Sequence, residues 1–176
     1  MNIFNKYDLA TWAKKIIIGS SEDYVFNNTK LKFRTGTRPI RKKYIDAKND
    51  VVRNDVLQNI YFEQNFKPHQ VLWDIGSHHG HYGIFCASIV KGNNQIFSFE
   101  PDNTAMCIQK ENIALNNFDQ KITVFDMAVS DKDGTILFNA MDGNSNSHIS
   151  KNGIGNGEKV ITVKTKCLNT LFSVLP

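Results

Sequence analysis

Asp74, Gly76, Gly80, Glu100 and Asp126 are the residues of this 176-residue chain whose types and spacing could hold a nucleoside-bearing cofactor. The run Val71-Leu72-Trp73-Asp74-Ile75 is apolar apart from its acid, and Gly76-Ser77-His78-His79-Gly80 follows it directly. An apolar strand ending at a glycine turn is expected to leave backbone N–H groups free at the mouth of the next helix, and glycines there let a ligand approach the main chain. In an open parallel sheet this carboxyl edge is where ligands bind. The plain alternative is a tight strand-to-helix connection with no ligand. Glu100 stands 26 residues after Asp74, at the end of the next apolar run, Gln95 to Phe99. A carboxylate there can accept two hydrogen bonds from ribose hydroxyls, or it is a surface acid before Pro101. Asp126 interrupts a third apolar run and can accept from an adenine amino group while Met127 packs on the ring. Otherwise it is an edge-strand acid facing water.

The turn is not the dinucleotide fingerprint G-x-G-x-x-G, because Asp74 occupies the place of its first glycine. An acid before the turn suits a ligand that carries a positive amine rather than a pyrophosphate. S-adenosylmethionine has such an ammonium, an adenosine and no phosphate.

The elements that must position these residues alternate between strand and helix. The pattern predicts strand 71–75, a helix from about 81 to 90, strand 95–100, a helix from 103 to about 115 opened by Pro101-Asp102, and strand 121–129. That order implies a parallel sheet with right-handed crossovers. Beyond it, Thr135 to Asn139 and Glu158 to Lys166 read as two strands of an antiparallel excursion, separated by a Gly/Asn/Ser-rich loop from 142 to 157. Leu168 to Leu175 starts a helix. Upstream, Tyr7 to Ile18 and Val51 to Phe66 have helical spacing, the second with Val52, Leu57, Ile60 and Tyr61 on one face. The expected fold class is therefore α/β. It is a Rossmann-like parallel sheet, incomplete, flanked by helices, with an antiparallel hairpin near the C-terminus and a helical N-terminal extension. The extension covers residues 1–66 and the partial cofactor domain residues 67–176.

Hydrophobic content of 41% and charged content of 22% fit a globular chain. No apolar run is long enough for a membrane span or a signal-peptide core, so the expected location is the cytoplasm. Cys86, Cys107 and Cys167 lack CxxC spacing and read as free thiols, the first two in helix cores. Residues 1–70 hold 13 Lys and Arg against 7 Asp and Glu, while 71–176 hold 8 against 10. The basic cluster Lys30, Lys32, Arg34, Arg38, Arg41, Lys42 and Lys43 could face an acidic partner, or be a solvated face. No interleaved aromatic pattern supports nucleic acid as that partner. His78, His79 and His81 lie too close together in one turn to converge on a metal, and no metal is expected. One of them near the cofactor could act as a general base, although no catalytic residue is assigned.

The ordered segments Asp74-Ile75-Gly76-Ser77-His78-His79-Gly80-His81-Tyr82, Phe99-Glu100-Pro101, Asn112-x-x-x-Asn116 and Ala128-Val129-Ser130-Asp131-x-x-Gly134 resemble the FkbM-type methyltransferases over residues 55–175. The resemblance implies a Rossmann-like, S-adenosylmethionine-dependent enzyme that methylates hydroxyls of sugars or small natural products, so the expected partner is a small-molecule or glycan acceptor. It further implies that Asp74, Gly76 and Gly80 line the methionine side, with Ser77 in the same site. Glu100 would hold the ribose, and Asp126 with Met127 would flank the adenine. Ser77 and His78 depart from the small residue and Asn often found between the glycines. The family also continues, after a segment like Leu168-Asn169-Thr170-Leu171, into a strand with a Lys-Ile-Asp-x-Glu-Gly type motif. The sequence stops at Pro176, so either a truncated gene product or a fragment is expected. Two rival readings are a truncated, non-catalytic binding remnant and an RNA methyltransferase that uses the basic segment.

Overall fold

The computed structural model describes residues 20–26, 28–37, 50–92, 94–140, 148–149 and 159–176. The expected helix at Tyr7 to Ile18, the basic residues Arg38, Arg41, Lys42 and Lys43, and most of the 142–157 loop lie outside them.

Three parallel strands form the centre: β3 (Val71–Ile75), β4 (Gln95–Phe99) and β5 (Ile122–Phe125), in the order β3-β4-β5. Helix α2 (His81–Ile89) connects the first pair and α3 (Asn103–Leu115) the second. The register sets Ile75 beside Phe99, and Phe99 beside Phe125, so the three strands end together. Side chains alternate across the sheet with period two. Leu72, Ile96, Ile122 and Val124 pack with Ile84, Phe85, Cys86 and Ala87 of α2 and Ile113 of α3. Trp73, Phe97, Phe99 and Phe125 form the other face, with Met127, Val129, Leu171 and Leu175. That face is covered by the short α4 (Leu168–Val174), whose Phe172 stacks on Trp73 at 4.6 Å between ring centres.

The N-terminal extension is not wholly helical. Ser21–Phe26 (β1) and Thr29–Arg34 (β2) pair antiparallel across all six residues. Asn28 lies in the turn before β2, and asparagine is a residue type that hairpin turns favour. Tyr24, Leu31 and Phe33 are buried in the same cluster as Ile84 and Phe85, so the hairpin shares the core of the parallel sheet. Helix α1 (Asp50–Asn65) forms where the spacing predicts a helix, but it turns a different face inward. Leu57 and Tyr61 are exposed, whereas Asn59 is fully buried and Phe62 packs on the core. Asn59 is drawn in because its Nδ2 donates to the Tyr24 hydroxyl at 2.9 Å.

The strand expected over 121–129 is broken. The Met127 amide donates to the Phe125 carbonyl at 3.0 Å, a closure two residues apart that an extended chain cannot make. The chain therefore leaves the sheet at Asp126. It resumes as β6 (Ala128–Ser130), which runs parallel to β9 (Lys159–Cys167). Strands β7 (Gly134–Ala140) and β9 are the expected antiparallel excursion, and β8 (His148–Ile149) joins its edge. The result is a second sheet of order β6-β9-β7-β8. The described residues thus form a mixed α/β fold, with a helix-flanked parallel sheet and antiparallel hairpins. All three cysteines are free; Cys86 is buried, while Cys107 is exposed rather than in a helix core. Among the described residues no helix is long and apolar enough to cross a membrane.

Candidate cofactor site

Because the parallel strands end together, Asp74, Glu100 and Asp126 are brought to one edge of the sheet, each from a neighbouring strand end. Between Asp74 and α2 the chain makes a tight turn with three left-handed residues: Gly76 (φ 73°), His78 (φ 49°) and Gly80 (φ 81°). His78 is the costly one, since a side chain disfavours this region by about 1–2 kcal/mol. The turn is held by bonds from four of its amides and the Ser77 hydroxyl.

The ties correct one expectation. Four of the turn's amides are not free. Gly76 and Ser77 both donate to the Phe99 carbonyl, at 3.0 and 3.2 Å, and Gly80 donates to Ser77 O at 2.7 Å. The His78 amide donates to Glu100 Oε2 at 2.7 Å. A phosphate cradle needs unspent N–H groups, and these four are spent on the protein itself.

Asp74 is buried beneath the turn, and its Oδ2 accepts the Gly83 amide at 3.1 Å. Gly80, at the N-cap of α2, offers no capping side chain, so Asp74 satisfies a first-turn donor from the strand below. Burial pushes its carboxyl up to about 6; the Gly83 bond pulls the other way, and the Glu100 charge adds to the rise. Burial also raises Glu100, opposed by its bonds to the Asp102 and His78 amides. Glu100 Oε1 accepts the Asp102 amide at 2.8 Å. These two bonds use about half of a carboxylate's roughly four acceptor positions. Asp126 is exposed at the sheet edge, and the neighbouring Met127 packs on the Phe97, Phe99 and Leu171 cluster.

The three histidines diverge. The rings of His78 and His79 stack at 3.6 Å. His81 turns away from the turn, into the rings of Tyr24, Phe33, Tyr82 and Phe85. Burial drives its imidazole down to about 3, so it is neutral and set among the core aromatics, not at the cofactor edge. Among the described residues no three His, Cys, Asp or Glu side chains cluster as metal ligands.

Sequence reasoning missed Gln109. It is fully buried on α3; its Oε1 accepts the Ser77 hydroxyl at 3.0 Å, and its Cγ lies 2.7 Å from where a Cβ on residue 80 would stand. The signal was present. Gln109, Asn112 and Asn116 are a polar stripe at i, i+3 and i+7 on a helix with otherwise apolar inward positions.

Replacing Asp74 by Asn is expected to separate stability from binding. The folded carboxyl keeps its proton to higher pH than the unfolded one, so the stability this lends is complete below about pH 4 and lost as pH rises through about 6. Asparagine still accepts from Gly83 but carries no charge. Above pH 7 the variant should be more stable than the parent by up to about 3 kcal/mol, with no gain near pH 4. Thermal denaturation at the two pH values measures this; an equal effect at both would refute the assignment.

No protein-family model matches the chain, and no curated protein matches it. Solved structures do match in part. Pyrococcus horikoshii TYW2 in complex with MeSAdo is 19% identical with a TM-score of 0.44, over 61% of this chain and 36% of that one. Methanocaldococcus jannaschii Trm5 in complex with adenosine is 17% identical with a TM-score of 0.40, over 60% and 30%. The M. jannaschii tRNA m1G37 methyltransferase is 16% identical with a TM-score of 0.41, over 62% and 31%. The chain spans about a third of the length of these structures.

Proposed function

We propose that this chain carries the S-adenosylmethionine site of a methyltransferase. The observation that carries the reading is the saturated turn with a carboxylate beneath it. The amides of Gly76, Ser77, His78 and Gly80 are engaged within the protein, and Asp74 already occupies the positive end of α2. A pyrophosphate would find few donors there and a buried negative charge. An ammonium would find that charge attractive.

The remaining groups fit the rest of the ligand. Gly76 faces open space, with nothing within 4 Å of where a Cβ on it would stand, so a ligand can lie against the main chain. Glu100 has acceptor positions left for ribose hydroxyls, and the exposed Asp126 carboxylate is free of the core and suits an adenine amino group as donor. Ser77 stays within the same turn. When bound, the sulfonium supplies an already activated methyl group, so the protein's part is alignment and exclusion of water. Asp74 contributes charge through the turn; Glu100 fixes the ribose and the turn together.

The FkbM-type resemblance points to a hydroxyl of a sugar or small natural product as acceptor. Two of the three described residues of the basic cluster are already paired, Lys30 with Asp23 at 2.8 Å and Arg34 with Glu111 at 3.3 Å, which weakens the case for an RNA acceptor. The test is transfer of labelled methyl from S-adenosylmethionine to a panel of hydroxylated small molecules and glycans, with RNA alongside. Label in the small-molecule fraction is the expected result. Label in RNA alone would overturn the acceptor class, and a binding defect would overturn the cofactor.

A further inference from the structure

Asn112 is fully buried on α3, and its side-chain amide joins two parts of the chain that are far apart in sequence. Its Oδ1 accepts the Arg34 amide of β2 at 2.7 Å, and its Nδ2 donates to the His79 carbonyl of the cofactor turn at 3.0 Å. Nδ2 also reaches Thr37 Oγ1 at 3.3 Å. The Thr37 hydroxyl spends its proton on Arg34 O at 2.8 Å, so it accepts from Asn112 rather than donating to it. The amide orientation is thereby fixed: a backbone N–H demands an acceptor on one side, and a carbonyl demands a donor on the other. Only a short amide side chain meets both demands at once. One turn along the helix, Asn116 makes a paired contact with the main chain of Lys32, accepting its amide at 2.9 Å and donating to its carbonyl at 2.7 Å. Asn116 also returns to α3 by donating to Asn112 O at 2.8 Å.

We propose that Asn112 is a positioning residue that couples the β1–β2 hairpin to the His78–Gly80 turn, which makes the hairpin a working part of the cofactor site. Asn116 docks the hairpin, and Asn112 transmits its position to the turn. The proposal rests on the cofactor reading for its ligand, but the coupling itself stands on geometry. His78 is held in a left-handed conformation and Gly80 has a fixed amide; between them the His79 carbonyl is secured by Asn112.

The experiment compares Asn112→Asp with Asn116→Asp. Asp at 112 keeps an acceptor for Arg34 but loses the donor, and it sets a carboxylate against the His79 carbonyl. Backbone hydrogen exchange should speed by about tenfold or more at Gly80 and Ile84, the two amides that close the turn onto α2, as expected for loss of one buried hydrogen bond. The dissociation constant for S-adenosylmethionine should rise by a similar factor. Asn116→Asp loosens the hairpin at Lys32 but leaves the Arg34–Asn112–His79 links intact, so exchange should speed most within the hairpin and less at Gly80 and Ile84 than in Asn112→Asp. Arg34→Pro removes the other link of the same chain, the Arg34 amide to Asn112 Oδ1, with Arg34→Ala as its control for the guanidinium, and keeps the test alive if Asn112→Asp does not fold. Unchanged exchange at Gly80 and Ile84 in the Asn112 and Arg34→Pro variants, or an equal increase in Asn116→Asp, would overturn the coupling. If the parent protein does not bind S-adenosylmethionine, the cofactor reading falls, while exchange at those two amides still decides the coupling.

Discussion

Adding one methyl group at Gly80 is expected to lower the melting temperature by roughly 10 °C. Two effects add. Alanine in the left-handed region costs about 1–2 kcal/mol. Its Cβ would also stand 2.7 Å from Gln109 Cγ, well inside contact distance. Gln109 cannot step aside freely, because it is fully buried and bonded to the Ser77 hydroxyl. Overpacking of this kind costs about 1–3 kcal/mol. Gly76→Ala is the internal control, since Gly76 is also left-handed but faces open space. It should show the conformational part alone, about half the total or less. Gln109→Ala should relieve the steric part, so Gly80→Ala with Gln109→Ala should fall short of additive. Melting curves for the four variants check this; equal losses at Gly76 and Gly80 would remove Gln109 from the account.

Glu100→Ala should have the largest effect on ligand binding. The carboxylate staples the turn through the His78 amide and the following helix through the Asp102 amide. Asp102 in turn caps α3, accepting the amides of Thr104 and Ala105. Alanine leaves two sheltered N–H groups without their acceptor, at about 1–3 kcal/mol each. Part of this is offset because a buried charge is removed as well. On the proposed ribose role, losing a charged acceptor shared by two hydroxyls corresponds to at least about 100-fold in dissociation constant. Glu100→Gln should be only a partial rescue. Its one oxygen can serve one of the two amides, and its NH₂ would meet the other donor. Titration calorimetry on both variants gives the order; Glu100→Gln binding as tightly as the parent would contradict this role.

The parallel sheet was legible in the sequence because its signals are local. Apolar runs at 71–75 and 95–99, glycine after the first, and Pro101-Asp102 before a helix need no tertiary information. The position of the three acids at one sheet edge was legible for the same reason, as each lies at or near the end of an apolar strand. What was not legible depends on long-range contacts. The hairpin at 21–34 was only half announced: Leu31-Lys32-Phe33-Arg34 alternates apolar and basic with the period of a strand, but the burial of Tyr24, Leu31 and Phe33 against α2 is a long-range contact. The inward face of α1 was misjudged because Asn59, a polar residue, is turned inward to meet Tyr24. The break at Asp126 hides inside a continuous β-type run, since a single amide-to-carbonyl closure at Met127 decides it. The satisfaction of the Gly76, Ser77 and His78 amides could not be read at all, because their acceptors, Phe99 O and the Glu100 carboxylate, lie at the end of another strand.

The central claim is that this turn is built for an ammonium-bearing nucleoside and not for a pyrophosphate. Titration calorimetry of the intact chain with S-adenosylmethionine and, separately, with NAD tests it most directly. Binding of S-adenosylmethionine, weakened by Glu100→Ala, with no measurable binding of NAD, is the expected result. Binding of NAD with equal or greater affinity, or no binding of S-adenosylmethionine, would contradict it.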